Sequence, residues 1–179
     1  MAILPIITAP HPILEAKARD VRPDEFGPAL KIHLSDMAET MYHAPGVGLA
    51  APQVADSRRI VVIDPGEKSE RGQRLFQMVN PQIVERSKDT IPWVETCLSV
   101  PGLEVEVQRN RQVRVQWQQA VDGAAQEAWF EGYEAVIVQH ELDHLLGTVL
   151  LDRVSGFKRR RYLSKVSKLR ARRESAGAL

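Results

Sequence analysis

The chain has 179 residues, of which 44% are hydrophobic and 26% are charged, and its formal net charge is +1. This balance excludes a disordered, fibrous or disulfide-rich protein, and the length suits one domain that buries about two-thirds of its unfolded surface. We therefore expect residues 1–179 to form a single domain.

The N-terminal segment predicts neither a leader nor a membrane span. It is apolar but interrupted by prolines, with no basic stretch and no apolar run of membrane-spanning length. A single cysteine, Cys97, excludes an internal disulfide and fits a reducing compartment. These features indicate a cytoplasmic protein that does not associate with membranes.

The first regular element predicted is a helix over residues 24–43. Asp24 is a candidate N-cap, and apolar residues recur every three or four positions from Leu30 to Met41. Pro45 then stops the pattern.

The segment from Arg59 to Gln119 indicates β-strands. Its β-branched or alternating apolar stretches are RIVVID, LFQMVNPQIVE, LEVEV and RQVRVQWQ. Asp122-Gly123 predicts a hairpin turn, with QEAWFE as the returning strand.

The remaining pattern predicts a helix over residues 133–146, a short strand TVLLD and a C-terminal helix at about 156–175. The resulting fold class is α+β, with antiparallel and mixed β-sheets packed around the helix at 133–146 as the central element.

The C-terminal helix is strongly basic. Residues 156–173 contain nine Lys or Arg and no acidic residue, so the rest of the chain carries about −8. Such a helix can bind RNA phosphates, or it can be a solvated helix that keeps the protein soluble, which the charge pattern alone favours.

The strongest chemical signal lies in the central helix. His140 and His144 are four residues apart, so both imidazoles lie on one helical face, where they can bind a single metal ion with Glu141 beside it. The alternative is a helix whose polar face holds two histidines without function.

A catalytic metal site needs a third protein ligand and an open position for water. Leu150 occupies the position where a third histidine would follow in one protease pattern, and Glu174 is the only glutamate after His144. Cys97 is therefore the best candidate, because thiolates bind zinc and ferrous iron well. Taken alone, a lone cysteine is more often a small buried hydrophobic residue.

Three segments resemble, in order and spacing, the signature motifs of peptide deformylases. They are GVGLAAPQ at 46–53, ETCLS at 95–99 and QHELDHL at 139–145. The resemblance extends over nearly the whole chain and implies removal of the formyl group from the N-terminal formyl-methionine of new polypeptides.

The resemblance also implies roles for individual residues. Cys97, His140 and His144 would bind one divalent metal ion, and Glu141 would act as the general acid and base. The side-chain amide of Gln53 and the backbone N–H of Leu98 would stabilise the negative charge on the formyl oxygen.

The peptide substrate would add as a strand beside Val47 and Gly48. Its methionine side chain would enter an apolar pocket, for which Val136 and Ile137 are candidate walls, although ordinary core packing explains both equally well. The implied ion is ferrous iron in the cell, with zinc, nickel or cobalt as replacements. Implied partners are formyl-methionyl peptides, nascent chains and the ribosome, docked through the basic C-terminal helix.

Thr96 departs from the family pattern, which usually has glycine at this position. A β-branched side chain there would narrow the peptide cleft, or it is a tolerated replacement because threonine suits a strand.

Two other functions remain open at this stage. An HExxH-type metallopeptidase would cleave peptides without a formyl group, and a ribosome- or RNA-associated metal-binding protein would have no hydrolytic activity.

Overall fold

The structure, a computed structural model, describes residues 2–66 and 68–176. The helices are α1 (Pro12–Glu15), α2 (Pro28–His43), α3 (Tyr133–Leu145) and α4 (Gly156–Ala176). The strands are β1 (Gly48–Ala50), β2 (Ile60–Ile63), β3 (Phe76–Arg86), β4 (Thr90–Glu95), β5 (Val105–Asn110), β6 (Gln112–Gln118) and β7 (Ala125–Glu131).

The strands form two antiparallel sheets. One contains five strands in the order β1-β2-β3-β6-β7, and the other pairs β4 with β5. Parallel pairing in the described residues is confined to one isolated bridge, between Arg19 and Arg58. The α+β class with a C-terminal helix is confirmed, and the sheets are antiparallel rather than mixed.

The five-stranded sheet is covered on both faces. Along β2, Val61 and Ile63 join the core cluster that contains α3, whereas Ile60 and Val62 join the cluster that contains α2. Successive strand residues point to opposite faces, so α2 and α3 lie on opposite sides of this sheet. Nine of the 13 residues of α3 are buried, which makes it the central helix that the sequence predicts.

One predicted helix starts later than expected, and one predicted strand is wrong. The helix predicted over residues 24–43 begins later, because Gly27 has φ +133° and Pro28 occupies the first helical turn, while Pro23–Glu25 form a separate 3-10 helix. The predicted strand TVLLD contains a 3-10 helix at Leu150–Arg153. The Asp152 carboxylate accepts a hydrogen bond from the Val149 N–H at 2.9 Å and closes that turn.

The other predictions agree with the structure to within a few residues, including the hairpin, where Gly123 has φ +71°. Strands β1 and β4 were not predicted separately, because β1 has three residues and β4 contains Pro92. None of the described helices is both long and apolar enough to cross a membrane.

Gly147 ends α3 at a position where a side chain would have no room. Its φ is +74°, and a Cβ would lie 2.6 Å from the Glu15 carbonyl oxygen. We expect Gly147→Ala to lower the free energy of unfolding by about 2 kcal/mol or more, measured by urea denaturation. Gly102→Ala is the matched control, because Gly102 has φ +75° and nothing within 4 Å of the added Cβ. Equal losses in the two variants would show that the contact with Glu15 is unimportant.

Candidate metal centre

The structure brings Cys97, His140 and His144 together. Their ligand atoms all lie within 4.8 Å of one another, and this is the one such group found among the described residues. The Cys97 Sγ lies 3.3 Å from the His144 Nε2, and the two imidazole centroids are 5.2 Å apart. One cysteine sulfur and two imidazoles therefore converge on a volume suited to one ion.

Cys97 reaches the centre from the turn that follows β4. The Val100 N–H donates to the Cys97 carbonyl at 3.0 Å, and the Ala9 N–H donates to the Ser99 carbonyl at 2.8 Å. These bonds hold the turn against the N-terminal segment, and the cysteine side chain is buried. Backbone hydrogen bonds therefore fix the position of Cys97, although its turn is far from α3 in the sequence.

Glu95 orients the first histidine. The His140 Nδ1 lies 2.8 Å from the Glu95 Oε2, which leaves Nε2 free to face the cluster. Arg109 donates to both Glu95 oxygens at 2.6 and 2.9 Å and to Asp143 at 2.7 Å. Burial opposes ionisation of Glu95, but Arg109 and His140 outweigh it and lower its pKa to about 2. This network holds His140 in one orientation.

Burial also determines the protonation state of His144. It lowers the pKa of His144 well below its ordinary value, so the imidazole is neutral, which is the form that binds metal ions.

Glu141 lies beside the cluster and is buried. Burial raises its pKa to about 7, and its Oε2 has no hydrogen-bond partner among the described residues. Buried polar atoms in proteins are nearly always paired with protein or water. This oxygen therefore suits a site where a water molecule meets an ion.

The Glu141 side chain occupies the space that a side chain at position 48 would need. A Cβ on Gly48 would lie 2.3 Å from the Glu141 Oε1 and 2.8 Å from its Cγ. We expect Gly48→Ala to displace the carboxylate. With Glu141 in the acid-base role that the sequence predicts for it, kcat/KM should fall by about 100-fold. Metal content and folding should change little, because the end of a side chain moves rather than the backbone. Kinetics and metal analysis would check this; wild-type kcat/KM in Gly48→Ala would show that the position of Glu141 is unimportant.

Gln53 points its amide at the centre. The Gln53 Nε2 lies 3.7 Å from the Cys97 Sγ and donates to the Ser99 Oγ at 3.2 Å. Its Oε1 accepts a hydrogen bond from the Ala50 N–H at 2.8 Å, which fixes the orientation of the amide. Leu98 follows the cysteine directly, and its half-buried side chain packs against the core cluster that contains α2.

A cavity of about 120 Å³ opens beside Glu141 and His140. Its walls include three residues proposed from the sequence, namely Val47, Val136 and Ile137, and the exposed Thr96 also lines it. The structure thus places the predicted pocket walls next to the centre.

Sequence reasoning missed Glu95, Arg109 and the aromatic residues Trp93 and Tyr133, which also line the cavity. A signal for Arg109 existed, because Val105 and Val107 alternate with polar residues in β5 and place Arg109 on the same buried face. The sequence did not indicate that Trp93 lies near the site, because strand β4 was not predicted.

Comparison with known proteins gives one family. The sequence profile of the family described as polypeptide deformylase matches residues 3–160. A peptide deformylase of Desulfotalea psychrophila is 42% identical over 168 residues, covering 94% of this chain and 97% of the relative. A crystal structure of a peptide deformylase from Legionella pneumophila has a TM-score of 0.83 at 38% identity, covering 96% of this chain and 99% of that one. The Met-Ala-Ser-bound structure of the class I type b enzyme from Acinetobacter baumannii has a TM-score of 0.78 at 34% identity, with 86% and 99% covered.

Proposed function

The chain belongs to the polypeptide deformylase family, and from that premise we propose which of its residues carry out the reaction. Members of this family are metal-dependent hydrolases, and this chain removes the N-formyl group from newly synthesised polypeptides. The observation that carries the proposal is the meeting of Cys97, His140 and His144 beside the buried, unpaired oxygen of Glu141.

Cys97, His140 and His144 would bind the ion, and the donor set of one sulfur and two nitrogens fits a divalent transition metal. When bound, the ion supplies a Lewis acid that makes water nucleophilic at neutral pH. Ferrous iron is the proposed ion in the cell, and zinc, nickel or cobalt would replace it in preparations.

Glu141 would transfer the proton. Its carboxylate takes a proton from water as the water oxygen attacks the formyl carbon, and it then delivers that proton to the peptide nitrogen. The carbon–nitrogen bond breaks and releases formate and a free amino terminus. The raised pKa of Glu141, about 7, suits a group that both accepts and donates a proton near neutrality.

Gln53 and Leu98 would stabilise the charge that develops on the formyl oxygen. The Gln53 amide is already held by its hydrogen bonds to Ala50 and Ser99, so no reorganisation is needed during the reaction. The backbone N–H of Leu98 would be the second donor.

The peptide would bind as an added strand beside Val47 and Gly48. Gly48 is the first residue of β1, which lies at the edge of the five-stranded sheet. Strand addition recognises backbone groups, so it suits an enzyme that accepts many sequences. The methionine side chain would enter the cavity lined by Val47, Val136 and Ile137. Thr96, at the cavity edge, would narrow the cleft.

The direct test is an assay for formate. Protein purified without oxygen and loaded with one divalent ion should release formate from formyl-Met-Ala-Ser and should leave unformylated Met-Ala-Ser intact. Cleavage of the unformylated peptide would instead support a metallopeptidase, and no formate from the loaded protein would refute the proposed function.

The basic helix α4 would dock on ribosomal RNA near the nascent chain. Lys158, Lys165 and Lys168 are exposed, while Tyr162 is buried and attaches the helix to the body of the protein. The family profile ends at residue 160, so most of this helix lies beyond it.

Removing residues 158–179 should abolish cosedimentation with ribosomes, but it also removes the packed Tyr162. Lys165→Glu/Lys168→Glu avoids that problem, because both side chains are exposed, and should weaken binding at least about fivefold with a shallower salt dependence. Lys17→Glu/Lys88→Glu is the charge-matched control on exposed lysines elsewhere. Equal binding by the two double variants would remove the docking proposal. We also propose that the protein is cytoplasmic and that residues 1–179 form a single domain.

A further inference from the structure

A second and larger cavity lies on a different face of α3 from the metal ligands. It is a groove of about 940 Å³ between α3 and β3. The α3 residues that line it are Gln139, Leu142, Asp143 and Leu146. Among the described residues, it shares no lining residue with the cavity beside Glu141. The groove is therefore a separate site, and the proposed reaction does not use it.

The groove is long enough for an extended chain. Its β3 wall runs from Asn80 to Arg86, which is six residues or about 20 Å. Lys17 lies toward the C-terminal end of α3, where the Ala18 N–H donates to the Leu145 carbonyl at 3.0 Å. An extended peptide rises about 3.3 Å per residue, so about six residues would fill the groove.

The lining of the groove is strongly basic. Six of its side chains are cationic and two are aspartates, so it carries a net charge of +4. The six cations are Lys17, Arg19, Arg59, Arg86, Arg109 and Arg153. They lie on the part of the chain that is acidic overall, outside the basic C-terminal helix. A concave surface with one sign of charge concentrates oppositely charged ligands, so the groove suits an anionic ligand.

Four of these cations can still pair with a ligand. Lys17 and Arg86 are exposed and form no ion pair with a described residue. Arg59 and Arg153 each pair with one carboxylate through a single nitrogen, at 3.1 and 2.7 Å. A guanidinium has five N–H donors, so both arginines have donors left for another carboxylate.

The amides in the groove indicate which kind of anion fits. Gln82 and Gln108 are exposed, and the Gln82 amide has no hydrogen-bond partner among the described residues. A side-chain amide offers both a donor and an acceptor. A peptide backbone complements both, whereas a phosphate chain has acceptors only. The described lining also contains no aromatic side chain on which nucleic acid bases would stack.

We propose that this groove binds an extended acidic peptide segment of a partner protein. Aspartate or glutamate side chains of about six residues pair with the four available cations, and the peptide backbone bonds to the two glutamine amides. Arginine suits this role because its planar group donates two parallel hydrogen bonds to one carboxylate.

The experiment measures binding of fluorescein-labelled acetyl-hexaglutamate to the metal-loaded protein by fluorescence anisotropy. The acetylated terminus carries no formyl group, so binding is measured without turnover. Lys17→Gln/Arg86→Gln should weaken binding at least about fivefold, because it removes the two unpaired cations of the groove. Both side chains are exposed, so this variant should unfold at the wild-type temperature and release formate at the wild-type rate.

Lys165→Gln/Arg172→Gln is the matched control. It removes one lysine and one arginine with exposed side chains from α4, and it should bind the peptide as the wild type does. Equal losses in the two double variants would show attraction to basic surfaces in general and would overturn the proposal. No loss in the groove variant, or no binding by the wild type, would also overturn it.

Labelled hexauridylate tests the phosphate alternative on the same proteins. The wild type should bind it more weakly than acetyl-hexaglutamate. Tighter binding of hexauridylate, with the same sensitivity to Lys17→Gln/Arg86→Gln, would replace the peptide by a phosphate chain and overturn the proposal.

Discussion

Glu141→Gln is expected to lower kcat by about 10²- to 10⁴-fold while the protein keeps its metal and its fold. Glutamine has nearly the same shape as glutamate, so it fits beneath Gly48 as the carboxylate does. Its amide cannot accept the proton of the attacking water. Burial already disfavours the charged form of Glu141, whose pKa is raised to about 7, so a neutral replacement should not destabilise the helix. Steady-state formate release, metal analysis and thermal unfolding measure the three quantities.

Glu134→Gln is the matched control for this variant. Glu134 lies in the first turn of the same helix, where it forms an ion pair with Arg74 away from the centre. We expect near-wild-type kcat from Glu134→Gln. If Glu141→Gln retained half of the wild-type kcat or more, another group would have to move the proton.

Cys97→Ala should remove most of the bound metal and reduce formate release to background. It deletes the sulfur ligand and leaves two imidazoles, and a smaller ligand set binds divalent ions more weakly. Metal analysis after anaerobic purification should give less than about a tenth of an ion per chain in Cys97→Ala, against about one in the wild type.

The single cysteine supplies an internal check on this prediction. Because the chain contains no other thiol, titration with a thiol reagent reports on Cys97 alone, and loading the wild type with metal should protect it. Cys97→Ser tests the chemistry further, since the serine hydroxyl is similar in shape but smaller than the thiol and remains protonated at neutral pH. A full complement of metal in either variant would exclude the thiolate as a ligand.

The sequence predicted the histidine pair well because its geometry is local. A four-residue spacing on a helix fixes two side chains on one face, whatever the rest of the fold does. The position of Cys97 is different, since it depends on how β4 lies beside α3. The exclusion of downstream ligands indicated Cys97 and the resemblance to known motifs supported it, but helical spacing alone could not place that sulfur beside His144.

The supporting contacts were harder to predict because they join distant segments. The hydrogen bonds that the Glu95 carboxylate accepts from His140 and Arg109 connect β4, α3 and β5. The late start of α2 is not evident from the sequence, because the apolar periodicity does not indicate that Gly27 adopts φ +133°. The apolar composition of TVLLD indicates a strand, but Leu150–Arg153 form a 3-10 helix whose turn is closed by the Asp152 side chain.

The most direct test of the account is X-ray absorption at the metal edge of protein loaded anaerobically with a single divalent ion. Convergence of Cys97, His140 and His144 predicts one sulfur and two imidazole nitrogens in the first coordination shell. A first shell without sulfur, in protein that releases formate, would contradict it.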